Sequence, residues 1–384
     1  MGSILEMIHP CKVSAVPRVG REMAGTRRNP CQSARRSLFI GFVLFAAAQL
    51  ALAVVLEHHF PELRDPEFGY KLKYLRQKIE ANPGRPLLLA VGSSRVFQGL
   101  GPACMPASNP EQADAPLFFN FGLPGGGPLL ELLCLRRLLA AGVRPRWLIL
   151  EVMPPLLAHA GFWPAEESHH LTRLTWNDLR FLEGYGSPSW NFYGTWLHSR
   201  LVPCHEQRLL ILNAISPHWL PDGSYLRNLL RGLQPCGWLP FGIVTVDAET
   251  RRRALAAARA EYPPPLFAAF KITCEADRAL REILTICRRE QICLLLLVMP
   301  ESQVFQSWYG PCAQRCLGDY LSTLQRDFRT PVVDARNWVA EEGFVDGHHL
   351  AYGGAVIFSE RLGREVLRPL LEERAQVPLA SCPP

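Results

Sequence analysis

The hydrophobic positions of this chain fall into two kinds of pattern. Short uninterrupted apolar runs at 86–91, 116–121 (PLFFNF), 146–152 (RWLILEV), 291–299 (QICLLLLVM) and 330–334 (TPVVD) are rich in Val, Ile, Leu and Phe. A strand open to water on one face alternates apolar with polar residues, so runs without alternation predict strands covered on both faces. Segments near 128–142, 275–290, 313–327 and 353–373 instead repeat apolar residues at helical spacing. Strands and helices in alternation predict an α/β fold, a three-layer αβα sandwich around a central parallel sheet. In such sheets ligands gather at the carboxyl ends of the strands.

One apolar run is longer than any strand. Residues 38–56 carry no formal charge, and Gln49 is their only strongly polar side chain. At about 1.5 Å per residue, a run of this length just crosses a hydrocarbon core of roughly 30 Å. Residues 37–57 are therefore expected to be a transmembrane signal anchor and to make the lipid bilayer a partner. Ala51-Leu52-Ala53 has the small-x-small form of a cleavage site, but the long segment before the run favours an uncleaved anchor. The stretch 58–84 reads as a stalk or first helix, closed by Asn82-Pro83-Gly84-Arg85-Pro86. The main domain is expected over 85–375. The gap between the third and fourth strands, about 157–270, is too long for a crossover and reads as an inserted helical subdomain.

The formal charge of +6 is unevenly placed. Residues 1–36 hold Lys12, Arg18, Arg21, Arg27, Arg28, Arg35 and Arg36 against Glu6 and Glu22, and form a basic tail. The body is left close to neutral, which removes the electrostatic footprint of a nucleic-acid binder. A basic flank on the amino side of a span predicts that the tail stays in the cytoplasm and the body is exported. The expected location is the inner membrane, single-pass, with the main domain periplasmic or extracytoplasmic. Of the twelve cysteines, Cys11 and Cys31 fall in the tail, and the even number beyond the membrane suits a compartment that permits disulfides. Cys312 and Cys316 lack a second ligand pair at zinc-like spacing, so no metal and no cofactor is expected. The last residues, 376–384, read as a tail.

The chemistry lies at the ends of the domain. Gly92 closes the first strand, which puts Ser93 and Ser94 on the turn into a helix, where free backbone N–H groups favour developing negative charge. Asp346 and His349, three apart before the last helix, supply a carboxylate that can orient an imidazole, which in turn can take a proton from a serine. His348 stands beside them, and His169 and His170 fall in the insertion as surface residues. Paired glycosidase carboxylates and the Gly-x-Ser-x-Gly elbow of α/β-hydrolases are both missing from the pattern.

These blocks resemble the SGNH/GDSL hydrolase superfamily, whose flavodoxin-like fold carries a Gly-Asp-Ser-like block after the first strand and Asp-x-x-His before the final helix. The resemblance implies Ser94 as nucleophile with Ser93 in the aspartate position, His349 as base and Asp346 as its orienter. It also implies an oxyanion pocket from the Ser94 N–H and a glycine of FNFGLPGGGP, Gly122 with Gly125 and Gly126 as competitors. The superfamily's third block, Gly-x-Asn-Asp, is replaced here by LEVMPPLL. Asn120 and Arg95 are the candidates to stand in for its asparagine. Ser93, Arg95, Asn120, Glu301, Trp308 and Tyr309 are expected to line the substrate cleft. Together with the anchor, the pattern is similar to SGNH-like proteins that work beside membrane-bound O-acyltransferases. The segments MPESQVFQSWYGP and VVDARNWV look closest to a membrane-anchored SGNH-like family of planctomycete-type bacteria. The expected activity is ester hydrolysis or acyl transfer on an acylated envelope glycan or small ester. The alternative is a non-catalytic scaffold that binds a glycan or an acyltransferase.

Overall fold

The structure, a computed structural model, describes residues 30–105, 115–158, 173–186, 190–216, 220, 225–242, 246–268 and 270–375. His169, His170, most of the basic tail and the segment 376–384 lie outside the described residues. The chain divides into two compact units, Met1–Ala48 and Gln49–Pro384. Helix α1 (Pro30–His58) contains the stretch Ser33–His58, which is long and apolar enough to cross a membrane. Its side chains at Leu38, Phe39, Ile40, Phe42 and Leu44 are exposed.

The larger unit is built on a five-stranded parallel sheet of order β2-β1-β3-β4-β5. The strands are β1 (Leu87–Val91), β2 (Leu117–Asn120), β3 (Trp147–Glu151), β4 (Cys293–Val298) and β5 (Val332–Asp334). Each falls inside a run picked out by its lack of alternation. The cause is visible in the core: Leu87, Leu89 and Val91 face one apolar cluster, while Leu88 and Ala90 face another. On the first face pack α2 (Pro66–Glu80), α4 (Pro128–Ala140), α10 (Cys274–Arg289) and α11 (Pro311–Phe328). On the second pack α3 (Ser94–Gly99) and α12 (Tyr352–Leu362). This is an α/β fold with helices on both sides of the sheet.

Helix α2 is a structural part of this body. Asp65 caps it by accepting the Phe68 N–H, Leu75 lies in the main core, and Lys71 is fully buried. The described parts of 157–270 are mostly helical, with α5 (Trp176–Glu183), α6 (Trp190–Leu201), α7 (Arg208–Ile215), α8 (Tyr225–Gly232) and α9 (Ala248–Glu261) among them. They return to the body in places: Leu179 and Leu182 enter the main core, and Trp238 lies beneath the second face. The described cysteines are all free, so the disulfides that an oxidising compartment permits are absent among the described residues. Cys134 and Cys287 are buried as apolar side chains, and burial pushes the Cys287 thiol up to about 12.

Candidate active site

Two loops at the carboxyl end of the sheet bring together residues from opposite ends of the domain. The β1–α3 turn holds Ser94, and the loop before α12 holds Asp346 and His349. Ser94 Oγ lies 2.8 Å from His349 Nε2, and His349 Nδ1 lies 2.7 Å from Asp346 Oδ2. Asp346 Oδ1 accepts the backbone N–H groups of His348 at 3.2 Å and His349 at 2.8 Å. Gly347, between them, adopts φ +91°, a conformation that favours glycine, and so lets the chain fold back on the carboxylate. Burial by itself would raise the Asp346 carboxyl. The His349 ring beside it, with His348 and the backbone donor, reverses that and holds it well below the usual carboxylate range.

With Asp346 ionised, Nδ1 of His349 carries the proton and Nε2 is free to accept the Ser94 hydroxyl. Ser94 and His349 are each partly open to solvent. A hydroxyl, an imidazole and a carboxylate in this series can activate an oxygen nucleophile at neutral pH.

The turn that presents Ser94 rests on a buried charge cluster. The Ser93 N–H donates to Glu151 Oε2 at 2.7 Å, and the Arg95 N–H donates to Ser93 Oγ at 3.1 Å, so Ser93 caps its helix. The Arg95 guanidinium donates to Glu301 Oε1 at 3.2 Å and to the carbonyls of Met299 and Pro300, and its Nε lies 3.5 Å from Glu151 Oε1. Tyr309 donates its hydroxyl to Glu301 Oε1 at 3.1 Å. One cation thus faces two carboxylates in the interior. Arg95 remains charged, and burial, against the pull of Arg95, pushes the Glu301 carboxyl up.

This geometry corrects several expectations. Ser93, Arg95, Asn120 and Glu301 do not line a cleft, since each is 0–1% exposed and committed to partners inside the protein. Tyr309 is buried on Glu301, and Trp308, half-buried, packs on Phe305 with Arg259 over its ring. Asn120 cannot stand in for the missing asparagine, because its amide donates to the Val96 and Leu100 carbonyls, both at 2.7 Å. Arg95 cannot either, because its donors are turned into the carboxylate cluster.

The Gly122 N–H is also spent, on Asn120 Oδ1 at 2.9 Å. A side chain at Gly122 would collide with the Phe97 backbone and the Ser93 carbonyl, so glycine is needed there for close approach. The Gly126 N–H closes a turn on Leu123 O, and Leu123 N–H bonds Gly92 O. Gly125, exposed and at φ +70°, is left with no acceptor for its N–H among the described residues. Its neighbour Gly126 abuts Ser93, as the crowding of an added Cβ against Ser93 Cα shows.

Two buried groups were not anticipated from the sequence. Lys71 donates to the carbonyls of Gly122 at 2.5 Å and Asn120 at 3.3 Å and sits 3.8 Å from the centre of the Phe97 ring, tying α2 to the glycine loop. Burial lowers its ammonium well below the ordinary lysine value. His348 is 2% exposed, and both of its ring nitrogens lack a hydrogen-bond partner. A cavity of about 300 Å³ lies elsewhere, lined by the end of α1 with Trp176, Trp196, Arg64 and Arg200. None of the serine, histidine and aspartate above borders it.

A family profile matches residues 268–371, less than half of the chain. No curated protein matches it. Among solved structures, a candidate acylhydrolase from Bacteroides fragilis matches at a TM-score of 0.34 and 10% identity, covering 79% of this chain and 95% of its own. A candidate platelet activating factor from Streptococcus pneumonia matches at a TM-score of 0.33 and 13% identity, covering 84% of this chain and 99% of its own. Scores this low do not establish kinship.

Proposed function

We propose that this chain is a membrane-anchored, extracytoplasmic serine esterase or O-acyltransferase of the SGNH type, acting on acyl esters of envelope glycans through an acyl-enzyme at Ser94. The observation that carries the reading is the series Ser94 Oγ, His349 and Asp346, with separations of 2.8 and 2.7 Å. His349 Nε2 takes the Ser94 proton as Oγ attacks the acyl carbon, then returns it to the departing alcohol. In the second half, water or a sugar hydroxyl gives its proton to His349 and attacks the acyl carbon, the bond to Ser94 Oγ breaks, and His349 returns the proton to that oxygen. The oxygen that becomes negative in between is held by the N–H groups of Ser94 and Gly125. The apolar stretch Ser33–His58 and the basic tail before it support the anchor and its orientation. The segments MPESQVFQSWYGP and VVDARNWV favour the membrane-anchored planctomycete-type relatives, and a membrane-bound O-acyltransferase is the partner that this resemblance suggests.

A second reading has its own support. Asn120, Arg95 and Gly122 are all withdrawn from the oxyanion role, and loss of one such donor costs about a hundred- to a thousand-fold in rate. A scaffold that binds a glycan or an acyltransferase without turning over esters fits that depletion. Labelling of the full chain with a serine-directed phosphonate decides between them. The esterase reading expects covalent labelling that is abolished in Ser94→Ala. Absence of labelling, or labelling that survives that substitution, removes Ser94 as nucleophile.

A further inference from the structure

His348 poses a problem that the proposed reaction leaves unsolved. A buried imidazole normally finds partners for its nitrogens, yet His348 Nδ1 and Nε2 have none. Its ring is enclosed by Phe305, Tyr262 and His349, with centroids at 5.0, 5.3 and 4.1 Å. Nδ1 lies 3.3 Å from Asp346 Oδ1 without hydrogen-bond geometry. Asp346, His348 and His349 each bring a donor atom within 4.8 Å of the others.

We propose that Asp346, His348 and His349 form an inhibitory zinc site, in which Zn²⁺ bound to one carboxylate oxygen and two Nδ1 atoms silences the Ser94 centre. Zinc takes nitrogen and carboxylate oxygen at about 2.0–2.2 Å in a tetrahedron, which puts neighbouring donors about 3.3 Å apart. The His348 Nδ1 to Asp346 Oδ1 distance already has that value. With the metal on Oδ1, the 2.7 Å hydrogen bond from His349 Nδ1 to Oδ2, the other carboxylate oxygen, must break so that Nδ1 can turn to the metal. Three protein donors leave the fourth position to water, the arrangement of an exchangeable site. The Asp346 and His349 side chains are 17% and 16% exposed and give a way in. Arg95, packed nearby on the β1–α3 turn, is paired with Glu151 and Glu301.

Inhibition follows from the proton count. Free His349 holds its proton on Nδ1 and offers Nε2 to Ser94. When Zn²⁺ takes the Nδ1 lone pair, the neutral ring carries its proton on Nε2, transferred through solvent. No proton is gained or lost, but Nε2 can no longer accept one from Ser94 Oγ. This inference rests on the proposed serine chemistry for its effect, while the metal site itself stands on the donor geometry.

The test uses the full chain in detergent, with Zn²⁺ binding measured by competition with a chromophoric chelator and Ser94 reactivity by phosphonate labelling. Expected are a Zn²⁺ equivalent that is missing in His348→Phe, and a labelling rate that falls at least about tenfold with Zn²⁺ and recovers with EDTA. Without added metal His348→Phe should label like wild type, and with Zn²⁺ it should keep that rate. His348→Leu repeats the comparison if the phenylalanine variant does not fold. Equal Zn²⁺ binding by wild type and variant, or equal inhibition of both, overturns the site. If wild type labels neither with nor without metal, the serine reading fails alone, and the binding comparison still decides the site.

Discussion

Replacing Asp346 by Asn should silence Ser94 while leaving the fold almost intact, and the geometry says by how much. The carboxylate accepts three N–H groups: the backbone of His348 and His349 on Oδ1, and His349 Nδ1 on Oδ2. An asparagine keeps an oxygen for the two backbone donors and turns its NH₂ toward Nδ1. The ring must then accept at Nδ1 and carry its proton on Nε2, which faces Ser94 Oγ at 2.8 Å. The wrong tautomer in a serine triad costs about 10⁴-fold in rate, or about 5.4 kcal/mol at 1.36 kcal/mol per factor of ten. Asp346→Ala should be milder on the tautomer but harder on folding, because it strands two backbone donors. The assay is the second-order rate of phosphonate labelling at pH 7, with urea unfolding of each variant alongside. Acid titration adds an independent arm. The folded carboxyl is held below its unfolded value, so its stabilisation is full above about pH 4 and is lost as pH falls further. That part of the acid slope should vanish in the Asn variant. Labelling within tenfold of wild type, with Ser94→Ala inert, would refute the tautomer argument.

Arg95→Met should cost about 3–5 kcal/mol in urea unfolding, because it strands Glu151 and Glu301 without a cation. Glu301→Gln should cost less, since burial has already raised that carboxyl. Lys71→Met should lose about 1–3 kcal/mol through the unpaired carbonyls of Asn120 and Gly122 and slow phosphonate labelling as the glycine loop relaxes; unchanged labelling would remove Lys71 as a positioning residue. Burial lowers the His348 ring well below its ordinary value. Wild-type stability is therefore whole above about pH 6.5 and falls as the unfolded chain takes up the proton. In metal-free buffer His348→Phe should unfold later than wild type at pH 5, and matching pH curves would contradict this.

The strands were legible because β1 to β4 are sealed on both faces, so apolar runs such as LLLAV and LLLLV admit few other readings. The pairing of Ser94 with Asp346 and His349 was suggested by block order alone, and the two loops do meet. The interior charges were not legible. Lys71 sits in YKLKYLRQK, where any lysine reads as solvated, and its burial is decided by carbonyls some fifty residues later. In the sequence Arg95 and Glu301 read as separate cleft residues, and Glu151 carries no role. The available signal is that each acid lies where an apolar strand run ends, Glu151 two residues before one Met-Pro pair and Glu301 directly after another. An acid there has no water to face and needs a cation. Gly122 reads as an oxyanion glycine in the sequence because its side-chain-free approach to Phe97 and an oxyanion role require the same residue type.

The way α2 is locked into the body bears on how the protein can be cut. A fragment starting at Pro86 would look natural from the apparent hinge at Asn82–Pro86. It would carry every reactive group, yet it would lose the ammonium that holds the second strand's exit and open a trough where Leu75 belongs. Secreted or crystallised versions should therefore begin no later than Asp65, so that the helix keeps both its cap and the two side chains that lock it to the sheet.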